Sequence, residues 1–542
     1  MPRILSKVSS IFSSLLGARS STRKNAALMA SGTLASRILG LVRIVALAYA
    51  LGSHSLADVF NLANNAPNTI YDLILGGVIS STLLPVFASR LAKSDTRMAW
   101  MSISAVLTLS GIFLVIATVL FELAAPGIIG LYTSLNHSAQ ASEQRRAATE
   151  LLRFFAPQLL FYGVITLITA VLNAKRNFAA PAFAPILNNI VAIITLLIFA
   201  SMYHHPSVSY VLSNPRAIRL LGIGTTLGVA FQAISLIPML KRVGARIRFR
   251  VDFRDHTVRE VFQLSGWTFA AVVANQLALV IVLAIADRRP GEVTAYNYAY
   301  LFFQLPYAIA ALSIMSTIQP ELAERYQGAD LSGFANRFNV GLRSSVAVVL
   351  PAAAAFLSFG PTLIFLALGH GRAAAQGTQE IGSALLGFAF GVPGFAAFLA
   401  MTQGFQAIKD TKSVFYLYLV ENGLNVILAV ALQPILGVKG LAMSLAIAYT
   451  VAAIVGWWML KAKAIPLSLK PYRRVWTRSL LGSVAFYLVG NYSISHLRGG
   501  GFIYQSVVLL ISLILGVAAF FAVAEATARI TNLRIGGQNW RR

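Results

Sequence analysis

SGTLASRILGLVRIVALAYALGSHSLADVFNLANNAPNTIYDLILGGVISSTLLPVFASR, residues 31–90, is the stretch that decides the fold. It reads as two membrane-spanning helices that carry charge where hydrocarbon should be. Arg37 and Arg43 fall inside the first apolar run, Asp58 opens the second, and Asp72 lies well inside it. Pro67 and Pro85 interrupt the second run, with Asn61, Asn64, Asn65 and Asn68 around the first proline. A charge in a membrane helix is costly unless it faces a protein interior or a wet cavity. Two arginines in such a cavity point to an anionic ligand, because the guanidinium fork suits phosphate oxygens. Asn65, Asn68 and the two aspartates are candidates to share that cavity.

Composition supports a membrane reading outward from this stretch. Of 542 residues, 57% are hydrophobic and 11% charged, against roughly 25% charged in soluble domains. The chain has no cysteine, which excludes disulfides, thiolate metal sites and a cysteine nucleophile. Its seven histidines show no metal-binding spacing, and His204 and His205 sit together in what reads as a solvated turn. A net charge of +26 would suggest nucleic acid in a soluble protein. Here the basic residues gather in alternate loops, so membrane topology accounts for them and no nucleic-acid partner is expected.

Residues 1–25 carry Ile4, Leu5, Val8, Ile11, Phe12, Leu15 and Leu16 at helical spacing among five basic residues. This fits an interfacial helix on anionic membrane lipids, with a disordered basic tail as the plain alternative. Spans near the roughly 20 residues needed to cross a bilayer then follow at a steady beat. They fall at 27–52, 58–90, 99–132, 148–173, 181–202, 217–240, 260–286, 294–325, 339–368, 380–408, 413–434, 438–460, 475–495 and 502–527, fourteen in all. The loop 241–259 alone holds Lys241, Arg242, Arg246, Arg248, Arg250, Arg254 and Arg259, while the opposite loops hold scattered pairs such as Arg145/Arg146. This asymmetry puts the N-terminus in the cytoplasm, and an even span count puts the tail, 528–542, there too.

The chain repeats itself. SGTLASRILG at 31–40 corresponds to SGWTFAAVVA at 265–274, and STLLPVFASRL at 81–91 to STIQPELAERY at 316–326, offsets of 234 and 235. Asn173-Ala174-Lys175-Arg176 corresponds to Gln406-Ala407-Ile408-Lys409, and Asn189 to Asn422, at 233. The expected fold is an all-α integral membrane protein of two six-helix lobes, 27–240 and 260–460, in parallel repeat. Two extra helices, 475–527, lie outside it. Transporters built on such a repeat bind substrate between the lobes and rock to alternate access.

The repeat also marks the unusual charges. Ala271 and Leu277 stand where the first copy has Arg37 and Arg43, and a charge present in one copy alone favours function over folding. Plainer roles exist for each residue: Arg37 can snorkel to the interface, Asp58 can cap its helix, and Asp72 can neutralise an arginine when the cavity is empty. Glu421 and Asn425 share a face of the eleventh span. They suit a sodium ion or a proton, or a plain hydrogen bond between helices. No Gly-rich phosphate loop, other cofactor motif or extramembrane catalytic domain is present, so the chain reads as a transporter rather than an enzyme.

At ASRILGLVR (35–43), ADVFNLANNAPNTIYDLILGGVISSTLLPVF (57–87), NAKRNFAAPAFAPILNNI (173–190) and AYNYAYLFFQLPYAIAALSIMSTIQPEL (295–322), the chain resembles the MurJ/MviN lipid II flippases. These belong to the multidrug/oligosaccharide-lipid/polysaccharide exporter superfamily, and the likeness runs through essentially all of the sequence. The resemblance implies movement of undecaprenyl-pyrophosphate-linked peptidoglycan precursor from the inner to the outer leaflet of the bacterial cytoplasmic membrane, as part of cell-wall biogenesis. It implies that Arg37 and Arg43 are the essential first-helix arginines and Asp58 the second-helix aspartate. It places the helix-11 part of a sodium site on Glu421 and Asn425, with Asn275 and Ser444 as weaker members. Two departures stand out: Tyr71 and Asp72 replace an arginine pair of many members, and Leu301 replaces an eighth-helix arginine. Tyr71-Asp72-Leu73 with the glycines after it is similar to the actinobacterial version. Two rival readings are a flippase for another undecaprenyl-linked glycan and a non-transporting scaffold for cell-wall enzymes.

Overall fold

The computed structural model describes residues 20–73, 80–93, 96–204, 206–253, 255, 257, 266–468, 470–496 and 501–533. Its described residues fold into helices with no β-strand, as a chain crossing hydrocarbon must when it cannot close a barrel. The first lobe comprises α1 (Ser20–Leu51), α2 (Ser55–Tyr71), α3 (Ser80–Lys93), α4 (Thr96–Leu123), α5 (Ala125–Tyr132), α6 (Ala141–Phe155), α7 (Pro157–Ala174), α8 (Ala179–Met202), α9 (Val208–Ser213) and α10 (Pro215–Arg242). The second comprises α11 (Gly266–Ala286), α12 (Glu292–Pro306), α13 (Leu312–Gln327), α14 (Leu331–Leu368), α15 (Arg372–Gln376), α16 (Gln379–Ala389), α17 (Val392–Ala407), α18 (Thr411–Leu436) and α19 (Val438–Lys461). Outside both, α20 (Lys470–His496) and α21 (Phe502–Leu533) pack on each other and on α14.

Eleven described helical segments are long and apolar enough to cross a membrane, or twelve if α16 and α17, bent by 55°, form one span. The two other expected spans are consistent with what is seen. That at 58–90 is described as α2 and α3, on either side of residues outside the described set, and that at 475–495 lies within α20, where Arg473, Arg474 and Arg478 lower the hydropathy. The expected amphipathic segment 1–25 and the tail 528–542 lie largely outside the described residues, as does part of the basic loop 241–259. Of that loop, Arg248 and Arg250 donate backbone N–H groups to Ser104 and Thr108, which seats it on α4.

The repeat shows in how equivalent helices end. Arg176 after α7 and Lys409 after α17 both stand at φ 57°, in the left-handed region. Around them the same two bonds recur: Arg176 N to Asn173 O and Asn177 N to Leu172 O, then Lys409 N to Gln406 O and Asp410 N to Phe405 O. That pair of bonds is the C-terminal cap that satisfies the last carbonyls of a helix. Between α12 and α13, residues Tyr307–Ala311 widen into a π-turn directly after Pro306, whose ring has no N–H to give to the helical ladder.

Candidate functional site

Between the lobes lies a cavity of about 370 Å³. Its first-lobe wall is a polar stripe on α2: Asn61, Asn64, Asn65 and Asn68 all line it, because positions three, four and seven apart share a helix face. Arg43 and Asp72 complete that wall. Facing them on α12 are Tyr296, Asn297, Tyr298, Tyr300 and Leu301, and on α18 Glu421, Asn422 and Asn425. Sequence reasoning missed the tyrosine wall; the run AYNYAY at 295–300 was the available signal.

The Arg43 Nε is buried and has no hydrogen-bond partner. Its electrostatic neighbours among the described residues are the hydroxyls of Tyr162 and Tyr298, with no carboxylate. A buried guanidinium without an anion is costly, and a ligand anion relieves that cost. Arg37 is exposed on α1 and does not line the cavity. Six residues at 1.5 Å each place it about 9 Å along the helix from Arg43. Asp72 departs from the expectation that it holds an arginine: its carboxylate accepts 2.9 Å from the Gln276 Nε2 of α11. The reason is its position facing the other lobe, where a neutral amide lies within reach.

Asp58 does not cap its own helix. It accepts from the backbone N–H of Gly291 at 2.5 Å and of Thr294 at 2.8 Å, and from the Thr294 hydroxyl at 2.6 Å. It therefore caps the N-terminus of α12 in the opposite lobe, where a carboxylate meets free N–H groups and the positive end of the helix dipole. Asn61 donates to Thr294 Oγ1 at 3.1 Å and Asn65 to Asn297 Oδ1 at 3.3 Å. These contacts join residues 232 to 236 apart, nearly the repeat offset, so the equivalent helices α2 and α12 meet across the pseudo-twofold axis. Gly291 stands at φ 90° with His54 Nδ1 3.0 Å from where a Cβ would be; only glycine suits both the turn and the approach.

A reciprocal cap runs the other way. Arg372, at the start of α15, donates to the carbonyls of Ala50, in the last turn of α1, and Tyr203, just past α8. A cation there meets the negative ends of two helices. Ser53 Oγ donates to Gly377 O at 2.7 Å beside it. Nearby, Asn136 donates to Asp287 at 3.0 Å and to Gln144 at 2.8 Å. Asp287 lies in the loop between α11 and α12. Burial pushes its carboxyl up to about 7, against the Asn136 hydrogen bond, with Asp58 raising it further and Arg145 opposing. Together these contacts shut one end of the interlobe space.

The cation candidates converge. Glu421, Asn425 and Asn275 line the same cavity, and Ser444 donates to Asn425 Oδ1 at 2.9 Å. Glu421 is buried and its Oε2 has no hydrogen-bond partner. One orphaned carboxylate oxygen with an amide oxygen nearby fits a monovalent cation or a proton. Among the described residues no group of three or more His, Cys, Asp or Glu could hold a metal ion.

Comparison with known proteins bears on this geometry. A family model described as lipid II flippase MurJ matches residues 47–513. A probable lipid II flippase MurJ of Rhizobium tropici is 27% identical over 477 residues, 88% of this chain and 85% of the relative. The lipid II flippase MurJ of Burkholderia cenocepacia is 26% identical over 426 residues, 77% of this chain and 79% of the relative. Among solved structures, a lipid II flippase MurJ in an inward closed conformation superposes with a TM-score of 0.75 at 20% identity, covering 93% of this chain and 99% of that one. An inward-facing multidrug transporter of the MATE family gives 0.64 at 16% identity, over 79% and 94%.

Proposed function

The chain belongs to the lipid II flippase MurJ family, and from that premise we propose how its own residues carry the cycle. The function is translocation of lipid II across the membrane. The observation that carries the mechanism is Arg43: a guanidinium held between two lobes, with no carboxylate beside it among the described residues, where the substrate must pass. The substrate's pyrophosphate has to leave water, and fixed cations must replace that water.

The basic loops support an orientation with both termini in the cytoplasm, in the bacterial inner membrane. The shut end of the interlobe space then faces outward and the cavity is loaded from the cytoplasmic side. Arg37, exposed and nearer that side, meets the pyrophosphate first and passes it to Arg43. The asparagine stripe and Tyr298 supply donors to its remaining oxygens. The polyprenyl tail stays in lipid, against the apolar outer surface of α20 and α21, where Ile503, Leu510 and Ile514 are exposed. Filling the cavity pulls the lobes together on the cytoplasmic side. The strain falls on the Asp58 and Arg372 caps, and their release opens the outer end.

Glu421 and Asn425 form the coupling site, for a proton or a sodium ion. A cation there neutralises the carboxylate that would otherwise repel a pyrophosphate in the same cavity. The decisive experiment is lipid II accessibility in the outer leaflet of cells depleted of their own flippase and supplied with this chain. Restored accessibility with the native chain, and its loss in Arg43→Ala protein of equal abundance, supports the reading. Normal flipping by Arg43→Ala protein overturns it. A scaffold that does not transport would reach normal abundance in those cells and leave outer-leaflet accessibility unrestored.

A further inference from the structure

A second space, of about 630 Å³, opens between α14, α17, α19 and α20. Its walls are almost entirely apolar, built from side chains such as Val346, Ala397, Met401, Ala453 and Ile454. It lies about a third of a turn around α19 from the interlobe cavity: Leu445 and Tyr449 line that cavity, whereas Thr450, Ile454 and Trp458 line the cleft. The two spaces share no lining residue, so the cleft is a space separate from the interlobe cavity.

One end of the cleft differs from the rest. Trp457, Trp458, Tyr472 and Trp476 line it there, together with Arg473. The Tyr472 and Trp476 rings stack with centroids 4.8 Å apart. Lys461 Nζ stands 5.4 Å and 5.3 Å from the ring centroids of Trp457 and Trp458. Arg473 is exposed at this mouth. Residues 422–524 contain no acidic residue at all, while Lys461, Lys463, Lys470, Arg473, Arg474 and Arg478 crowd the α19–α20 junction. Lys463 is joined to the Asp410 carboxylate at 2.6 Å, and with no acidic residue in 422–524 the junction is rich in positive charge.

Tryptophan rings and basic side chains at a helix end mark headgroup depth, and an apolar cleft beneath them is the shape of an acyl chain. We propose that the cleft holds a resident anionic glycerophospholipid of the inner leaflet, one acyl chain between the helices and its phosphate at Lys461 and Arg473. The leaflet assignment rests on the orientation proposed above. The lipid fills the seam between the second lobe and α20 and so fastens the two extra helices to it. Zwitterionic lipid lacks the net charge that this mouth selects, and the polyprenyl carrier has no connection to it from the interlobe cavity.

Three of the six tryptophans line the cleft, which makes intrinsic fluorescence the probe. The full chain is placed in nanodiscs of unlabelled phosphatidylcholine, with a rising mole fraction of phosphatidylglycerol or phosphatidylcholine brominated on the acyl chain. Half-maximal quenching should come at a mole fraction at least fivefold lower for brominated phosphatidylglycerol. Lys461→Glu/Arg473→Glu protein should lose that preference to under twofold, and Ala397→Phe, which fills the cleft, should lower the maximal quench by either lipid. Equal half-points for the two lipids in the native chain overturn the proposal, and that comparison decides alone if a variant does not fold. Displacement of the brominated lipid by an equimolar amount of undecaprenyl phosphate also overturns it, by assigning the cleft to the carrier. Nanodiscs are indifferent to orientation, so either failure leaves the transport reading standing.

Discussion

Replacing Asp58 should open the outer gate, and the size of the effect follows from its bonds. The carboxylate accepts two backbone N–H groups and one hydroxyl at the start of α12. Loss of an N-cap costs about 1 kcal/mol. A favourable, partly buried charge at a helix end is worth up to about 2 kcal/mol, and a hydrogen bond to a charged group about 1.5–3 kcal/mol. These terms overlap, so Asp58→Ala should shift the closed-to-open equilibrium by about 2–4 kcal/mol. At about 1.4 kcal/mol per factor of ten, that is about 30-fold to about 700-fold. Asp58→Asn keeps one acceptor without the charge and should fall between. The chain has no cysteine, so a single Asn64→Cys reporter in the cavity needs no background substitution. Spheroplasts treated with a membrane-impermeant maleimide should label Cys at that position slowly in the native background and at least tenfold faster with Asp58→Ala. An unchanged rate at equal abundance would refute the reasoning, because a cap that bears on the closed state cannot be removed without cost.

Other outcomes follow from the same geometry. Arg372→Gln should speed labelling of the same reporter by about tenfold to a hundredfold, since about 1.5–3 kcal/mol of charge-assisted bonding to the Ala50 and Tyr203 carbonyls is lost; a rate within twofold of native counts against the reciprocal cap. Arg43→Lys should retain about a tenth of native flipping and Arg43→Ala under about a hundredth, as charge survives without the bidentate fork; the lipid II accessibility assay reads both. Glu421→Gln should abolish the dependence of flipping on pH or on sodium, measured in reconstituted vesicles, and an unchanged dependence removes the coupling role. Asp287 titrates near 7 in the closed gate and near its ordinary value of about 4 once solvated. The closed state thus holds a proton that the open state has released. Its advantage is fullest at low pH, declines from about pH 4 to about 7, and is flat above. Divided by the rate at which the same maleimide adds to a free thiol at each pH, labelling should accelerate between external pH 5 and 7 and then level off, and Asp287→Asn should flatten that normalised curve.

How far the sequence reached depended on whether a property was local. Apolar runs and the repeat are written in consecutive residues, so the lobes, the extra helices and even the matched helix ends at Arg176 and Lys409 were legible. Arg43 was legible because a charge in an apolar run has few reasons to exist. Arg37 and Asp72 show the limit. Which side of a helix faces a partner depends on packing between distant segments, so nothing local tells that Arg37 is exposed or that Asp72 meets Gln276. Asp58 was visible as a cap, but the capped helix lies 233 residues away from it. Arg372 carried no signal, because it opens a five-residue helix between spans and its partners are carbonyl oxygens that every residue possesses.

The two crossed caps have a consequence for how the transporter responds to its surroundings. They join side chains to helix ends, not to opposite charges on flexible side chains. Salt, which screens exposed ion pairs, has little hold on them. When the lobes part, however, N–H groups at the start of α12 and carbonyls at the ends of α1 and α8 lose their partners together, and they must be hydrated at once. Opening therefore draws water into the outer mouth as a stoichiometric part of the step. With that mouth outward, hyperosmotic medium should hold the gate shut and dilute medium should ease it, because each opening must hydrate the same set of helix ends.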